Sequence, residues 1–294
     1  MKKTLDSTDD LMLVENGIFP IIFDENGKRV KEVTELESRF PGTVQGEGMF
    51  AGSLSLFLRT SGCNLRCLFK SSDSQAIPNK CDTWYSSFEH EQNWVTQKTA
   101  EKIIRNNVKK GQHLVISGGE PFLQAKKLAK LLDSLKDLEL IVTVETNGTI
   151  YNEELCKRIS LISLSPKLSN STPTDEKCKA SGIFLEDGLL VNHEKYRNNL
   201  LPIQKFVNFS HENSNTGVQL KFVVTCERDI EEIKSKYLKE LEDVTPQMIY
   251  LMPEGITQKE MQEKSKWVIN KCIEEDFIYC PRLHIEVYGE KREV

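Results

Sequence analysis

From Leu54 onward, short apolar runs alternate with stretches of helical spacing. Leu54–Arg59 reads as a strand. Thr96–Lys110 places Ala100, Ile103, Ile104 and Val108 on one helical face. His113–Ile116 is a buried-strand run closed by Gly118-Gly119, and Ala125–Leu135 turns Leu128, Ala129, Leu131, Leu132 and Leu135 to one side. Leu140–Val144 (strand), Glu153–Ile159 (helix) and Leu161–Leu164 (strand) continue the rhythm. It resumes later with Gln219–Thr225 (strand), Ile230–Leu241 (helix), Met248–Leu251 (strand), Gln258–Glu274 (helix) and Leu283–Val287 (strand). Apolar strands alternating with amphipathic helices predict an α/β fold with a parallel sheet covered by helices. The units are too few for a closed eight-fold barrel, which leaves an open partial (β/α) barrel of about six strands or a doubly wound sheet.

Two segments fall outside the rhythm. Ile18–Phe23 and Arg29–Val33 flank Asp24-Glu25-Asn26-Gly27, a hairpin signature. Residues 1–39 are therefore expected to form an N-terminal hairpin extension on a main domain of residues 40–294. Residues 168–216 are rich in Ser, Asn, Asp and Gly, with one helical stretch at His193–Asn199. They are expected to be an insertion or lid within that domain.

With 294 residues, 38% hydrophobic and 28% charged, the chain can bury a real core. A net charge of −5 provides no basic footprint for nucleic acid, so a small-molecule substrate is the simpler expectation. No apolar run approaches the ~18 residues of a membrane span, and Met1–Asp10 lacks a signal peptide's apolar stretch. The expected location is cytoplasmic, away from membranes. In that compartment eight cysteines point to metal, redox or catalytic roles more than to disulfides.

Cys63, Cys67 and Cys81 lie in one short stretch. Thiolates are soft ligands for zinc or iron–sulfur clusters. Three of them leave a coordination position open, which suits an iron–sulfur cluster with one free iron. A zinc site completed by His90 or a distant cysteine fits the spacing as well. Ser117-Gly118-Gly119-Glu120-Pro121, Glu145-Thr146-Asn147-Gly148 and Ser165-Pro166-Lys167 each follow a predicted strand, so their polar groups converge on one edge of the sheet. Val44-Gln45-Gly46-Glu47-Gly48 precedes the first core strand and offers Gln45 and Glu47 to a heterocycle's hydrogen-bonding edge. His284 alternates with apolar neighbours and reads, taken alone, as a core histidine on a strand.

Taken in order with Phe57–Cys63, Cys81-Asp82-Thr83 and Pro281–His284, these motifs resemble the radical S-adenosylmethionine superfamily. Within it they most closely resemble the 7-carboxy-7-deazaguanine synthase family of the queuosine pathway, over about residues 40–294. The cysteine spacing departs from the usual C-x3-C-x2-C because residues 68–80 separate Cys67 from Cys81, and segment 168–216 is longer than in compact members. The resemblance implies the open partial barrel. It also implies a lyase in which a cluster-bound S-adenosylmethionine yields a 5′-deoxyadenosyl radical. That radical takes a hydrogen from 6-carboxy-5,6,7,8-tetrahydropterin, which contracts to 7-carboxy-7-deazaguanine with loss of ammonia. Cys63, Cys67 and Cys81 would hold a [4Fe–4S] cluster. Gly119, Ser165, Pro166, Lys167, Met252, Pro253, Glu254 and Gly255 would bind S-adenosylmethionine. Val44, Gln45, Gly46, Glu47, Arg59, Ser117, Glu145 and His284 would surround the substrate, and Thr83 would ligate Mg²⁺. A homodimer and a flavodoxin- or ferredoxin-like electron donor are implied too. A glycyl-radical activase and a non-catalytic zinc-binding adaptor are the alternatives.

Overall fold

The apolar runs become strands of one open sheet. The computed structural model of the chain describes residues 4–32, 42–69, 77–184, 188–289 and 291–292. Its strands are β1 (Leu11–Phe19), β2 (Thr43–Val44), β3 (Leu54–Thr60), β4 (Leu68–Phe69), β5 (Asn79–Lys80), β6 (Asn93–Val95), β7 (His113–Gly118), β8 (Ile141–Thr146), β9 (Leu161–Leu164), β10 (Gly217–Val224), β11 (Ile249–Pro253) and β12 (Ile278–Tyr279). The helices are α1 (Trp84–Ser87), α2 (Gln97–Asn107), α3 (Ala125–Ser134), α4 (Glu153–Cys156), α5 (Asp175–Ala180), α6 (Leu189–Arg197), α7 (Leu201–Glu212), α8 (Glu227–Glu232), α9 (Gln258–Glu275) and α10 (Leu283–Tyr288).

The sheet order is β12-β11-β10-β9-β8-β7-β3-β1-β6, with β2 beside β3, while β4 and β5 form a separate ribbon. Every neighbouring pair from β3 to β12 is parallel. Among these parallel strands each new one adds on the same side, so their order never reverses, while β6 pairs antiparallel with β1 at the other edge. A doubly wound sheet needs such a reversal, and the unpaired outer strands keep the barrel open.

Side-chain alternation assigns the two faces. Leu56, Leu58, Leu114, Ile116, Val142, Val144, Ile162, Leu164, Leu220 and Phe222 point into one cluster with Ile104, Leu128, Phe206 and Val268 from the helices. The intervening residues line the concave side and are largely polar. Near its floor His113 bonds Ser55 Oγ at 2.8 Å and Thr143 Oγ1 at 2.7 Å. Burial lowers the His113 pKa to about 4, so the ring is neutral. Beside this triad Gln219 Nε2 donates to Ser163 Oγ at 2.8 Å.

Three expectations change. The N-terminal hairpin reduces to a turn closed by the single bridge Phe23–Arg29. The real strand lies earlier, where Leu11–Val14 and Ile18–Phe19 are buried and β1 joins the main sheet antiparallel to β3. The burial available to that apolar run outweighs the local Asn-Gly signal. The boundary between residues 39 and 40 lies outside the described residues, as does Val33. Second, Leu283–Val287 is the helix α10 and the last strand is β12. Its alternation misleads because Ile285 is buried while Val287 is exposed. Third, segment 168–216 is mainly helical. Its α7 is a core-packed crossover between β9 and β10, burying Ile203, Phe206, Val207 and Phe209. Phe206 meets Phe122 and Tyr151 edge to face.

Candidate active site

A cavity of about 440 Å³ opens at the C-terminal edge of the parallel strands, the usual ligand edge of such sheets. It brings together Val44, Gln45, Gly46, Glu47, Arg59, Ser117, Glu145 and His284 with Cys63, Cys67, Cys81 and Thr83, and with Gly119, Ser165, Lys167, Met252, Glu254 and Gly255. Pro166 and Pro253 are buried beside the wall and do not line it. No described residue of segment 168–216 lines it.

The cysteine end is built by the loop after β3. Antiparallel β4 and β5 pair Leu68 with Lys80 and Phe69 with Asn79. That ribbon turns the chain back, and Cys81 N donates to Cys67 O at 3.1 Å. The long sequence gap therefore costs no proximity. Leu65, Phe69 and Val223 pack around the thiols. Burial, reinforced by the nearby Glu120 carboxyl, pushes the Cys63 thiol up to about 12, and burial raises Cys67 and Cys81 as well. Thiolates in such surroundings need a cation to form. Among the described residues no three His, Cys, Asp or Glu side chains converge tightly enough to hold one ion. An iron–sulfur cube is less demanding, because it offers a different iron to each thiolate. His90 bonds Gln92 and does not line the cavity.

Strand ends are tied to this loop from behind. Gly119 must be glycine, since a Cβ there would lie 2.1 Å from Gly62 O. Glu120 is fully buried and accepts from Thr146 Oγ1 (2.7 Å), Asn147 N (2.8 Å) and Phe122 N (3.0 Å). It locks the turns after β7 and β8 together. Glu254 accepts from Asn79 Nδ2 at 2.7 Å and Lys264 Nζ at 2.6 Å, linking the end of β11 to the cysteine ribbon. Lys167 Nζ donates to Ser165 Oγ at 2.7 Å. Thr83 Oγ1 stands 3.3 Å from Cys81 Sγ.

The other end is an array of alternating charges. Glu145 accepts from Ser117 Oγ at 2.7 Å, Gln45 Nε2 at 3.2 Å and Lys221 Nζ at 3.3 Å. Lys221 also pairs with Glu47, Glu47 with Arg282 (3.2 Å), and Arg282 with Asp82. Burial works to raise the Glu47 carboxyl's pKa, but Lys221 and Arg282 outweigh it and hold that group well below the usual range. Burial likewise opposes the Lys221 charge, and Glu145 and Glu47 more than restore it. His284 Nε2 lies 3.8 Å from Glu47, and burial lowers its pKa. Gly46 packs against that ring, since a Cβ there would come within 2.2 Å of Nδ1. The Arg59 guanidinium lies 5.3 Å from the Phe19 ring centroid and 6.0 Å from that of Tyr85. Such a pocket presents fixed acceptors and donors to a flat, polar heterocycle.

Lys221, Arg282 and Asp82 belong to this array, and sequence reasoning left them out of the site. Arg282 and Asp82 sit inside quoted motifs. Lys221 had one signal, a charged residue on the same alternating face as Gln219 in an otherwise apolar strand.

Comparison with known proteins agrees with this geometry. The family model described as a 4Fe-4S single cluster domain matches residues 44–171. The crystal structure of QueE from Escherichia coli is 19% identical, covers 93% of this chain and 94% of that one, and superposes with a TM-score of 0.51, which shows a shared fold. A 7-carboxy-7-deazaguanine synthase from Halobacterium salinarum is 36% identical over 85% of this chain and 89% of its own. Another from Rhodopirellula baltica is 34% identical over 90% of each chain. With that identity sustained over nearly the whole length, the chain belongs to the 7-carboxy-7-deazaguanine synthase family.

Proposed function

We propose that this protein is a radical S-adenosylmethionine lyase that converts 6-carboxy-5,6,7,8-tetrahydropterin to 7-carboxy-7-deazaguanine with release of ammonia. One observation carries the reading beyond family membership. Three cysteines, Cys67 buried and Cys63 and Cys81 partly so, line a single cavity together with a charged hydrogen-bonding array.

Cys63, Cys67 and Cys81 would hold a [4Fe–4S] cluster with one iron left for S-adenosylmethionine, and that pair supplies the radical chemistry when bound. Gly119, Ser165, Lys167, Met252, Glu254 and Gly255 are the residues we assign to the S-adenosylmethionine wall. The protein's own work is positioning and exclusion of water. Glu47 and Glu145 accept from the amino and ring N–H groups of the pterin, while Ser117, Gln45 and Lys221 keep Glu145 from turning away. Arg59 is suited to the substrate's carbonyl or carboxylate edge. We assign Thr83 to Mg²⁺, a hard ion for which a hydroxyl and a substrate carboxylate are suitable ligands. A homodimer and a small flavodoxin- or ferredoxin-like electron donor complete the reading.

The test is anaerobic reconstitution followed by incubation of the reduced protein with the carboxy-tetrahydropterin, S-adenosylmethionine and Mg²⁺. Mass spectrometry should find the deazapurine, and iron and sulfide should be present in the protein. Colourless, zinc-loaded protein would overturn the reading. Iron-loaded protein that leaves the pterin untouched would leave a radical enzyme of another substrate class. Omitting Mg²⁺ tests Thr83 separately, with a rise in KM expected.

A further inference from the structure

No described residue of segment 168–197 lines the cavity, yet several of its polar side chains reach the cysteine loop. We propose that this segment is a brace, in which Lys177 and His193 act as positioning residues that hold Cys67 in place for the cluster. The proposal rests on the cluster reading above and goes beyond it.

Lys177 lies on α5 and is 8% exposed. Its ammonium donates to Leu68 O at 2.8 Å, Thr172 O at 2.8 Å and Asn170 O at 2.5 Å. Three N–H donors thus meet three backbone carbonyls, and one of those belongs to the residue after Cys67. His193 lies on α6 and is 1% exposed. Its Nδ1 accepts from Arg66 N at 3.3 Å, the residue before Cys67. A backbone N–H can only donate, so the ring proton sits on Nε2. Nε2 faces Ser171 Oγ at 3.3 Å, and Ser171 donates onward to Leu168 O at 2.7 Å. Every donor in that chain has an acceptor. Farther along the loop, Ser181 Oγ donates to Pro78 O at 3.4 Å.

Cys67 is therefore held on both flanks by side chains from one distant segment. Its own thiol meets apolar side chains and the hydroxyl of Ser171, a residue of the same segment. Without these side chains Leu68 O and Arg66 N, on either side of Cys67, would have to find other partners. The two departures from the compact cysteine pattern, the long loop and the long segment, meet here and compensate each other.

The experiment compares wild-type, Lys177→Met, Lys177→Arg and His193→Leu holoenzymes, reconstituted anaerobically and challenged with a ferrous chelator. Lys177→Met and His193→Leu should release iron roughly 10-fold faster or more, the scale on which supporting partners of metal ligands act. Lys177→Arg, which keeps a cation and several donors, should recover most of the retention. The reduced cluster's electron paramagnetic resonance spectrum should become heterogeneous in the first two variants only. Wild-type release rates in both variants would overturn the proposal, as would equal losses in Lys177→Met and Lys177→Arg, since filled volume would then matter and the ammonium would not. If Lys177→Met fails to fold by circular dichroism, His193→Leu decides alone. If wild-type protein takes up no iron and sulfide, the cluster reading fails instead. Amide exchange across residues 63–69 in the metal-free chain then decides the brace, with faster exchange in His193→Leu expected and unchanged exchange overturning it.

Discussion

Lys221 reaches Glu47 and Glu145 from a strand whose opposite face is core. Removing its charge leaves two partly buried carboxylates with one fewer cation between them. Lys221→Met should destabilise the fold toward or below the lower end of the roughly 3–5 kcal/mol that breaking a buried ion pair costs, because Glu47 keeps Arg282 and Glu145 keeps Ser117 and Gln45. It should also raise the KM for the pterin. The pH profile follows from the signs. In the wild type the Glu47 pKa is depressed, so the pair's stabilisation is complete above the ordinary carboxylate range and is lost as pH falls through the folded value. The Lys221 pKa is raised, so its share persists to pH above the ordinary lysine range. The wild-type profile should therefore be flat across neutral pH as far as this pair is concerned. In Lys221→Met one carboxyl titrates higher, and kcat/KM should decline on the acid side. Gly46 makes a second residue-scale case. Gly46→Ala drives a methyl into His284, so the KM should rise while iron content stays unchanged.

At the scale of elements, the strands were legible because period-two alternation and apolar runs report burial directly. Ser117, Glu145, Ser165 and Lys167 followed, since residues at the ends of the strands of a parallel sheet share one edge whatever the tertiary detail; Gln45 came instead from the motif resemblance. The short C-terminal helix was not legible. Leu283, Ile285 and Val287 alternate as a strand would, but only Ile285 of the last two is buried, and a short helix instead sets His284 against Gly46. The cysteine ribbon escaped for a related reason, because two-residue strands such as β4 and β5 carry too little pattern. One helix start invites a direct test. Thr257 accepts from Glu260 N at 3.2 Å, and Glu260 Oε2 accepts from Thr257 N at 3.0 Å and Ile256 N at 2.9 Å. This box begins α9 just past the Met252–Gly255 turn of the cavity. Thr257→Ala should cost about 1 kcal/mol in denaturant unfolding.

Across the whole molecule, two buried neutral imidazoles set an acid limit. His113 in the barrel floor and His193 in the brace both titrate near 4, chiefly because of burial, against about 6.5 in an unfolded chain. The unfolded chain therefore binds more protons between those values, and stability falls as pH drops from about 6.5 toward 4. Urea midpoints of the metal-free protein, measured under reducing conditions, should be constant above that window and decline through it. His113→Asn, which can still bond Ser55 or Thr143 and has no proton to gain, should flatten the decline.

Local patterning in the chain determined the alternating strands and helices, the shared polar edge and the cluster of three cysteines, because each is a statement about neighbours in sequence. Only the tertiary structure decided that Cys81 returns to Cys67, that Lys221 and Arg282 stand between the site's carboxylates, and that Lys177 and His193 reach the cysteine loop. Those are pairings between residues as far apart as Asp82 and Arg282. Their energies depend on burial and charge brought together by the sheet, and neither is a property of any short stretch of chain.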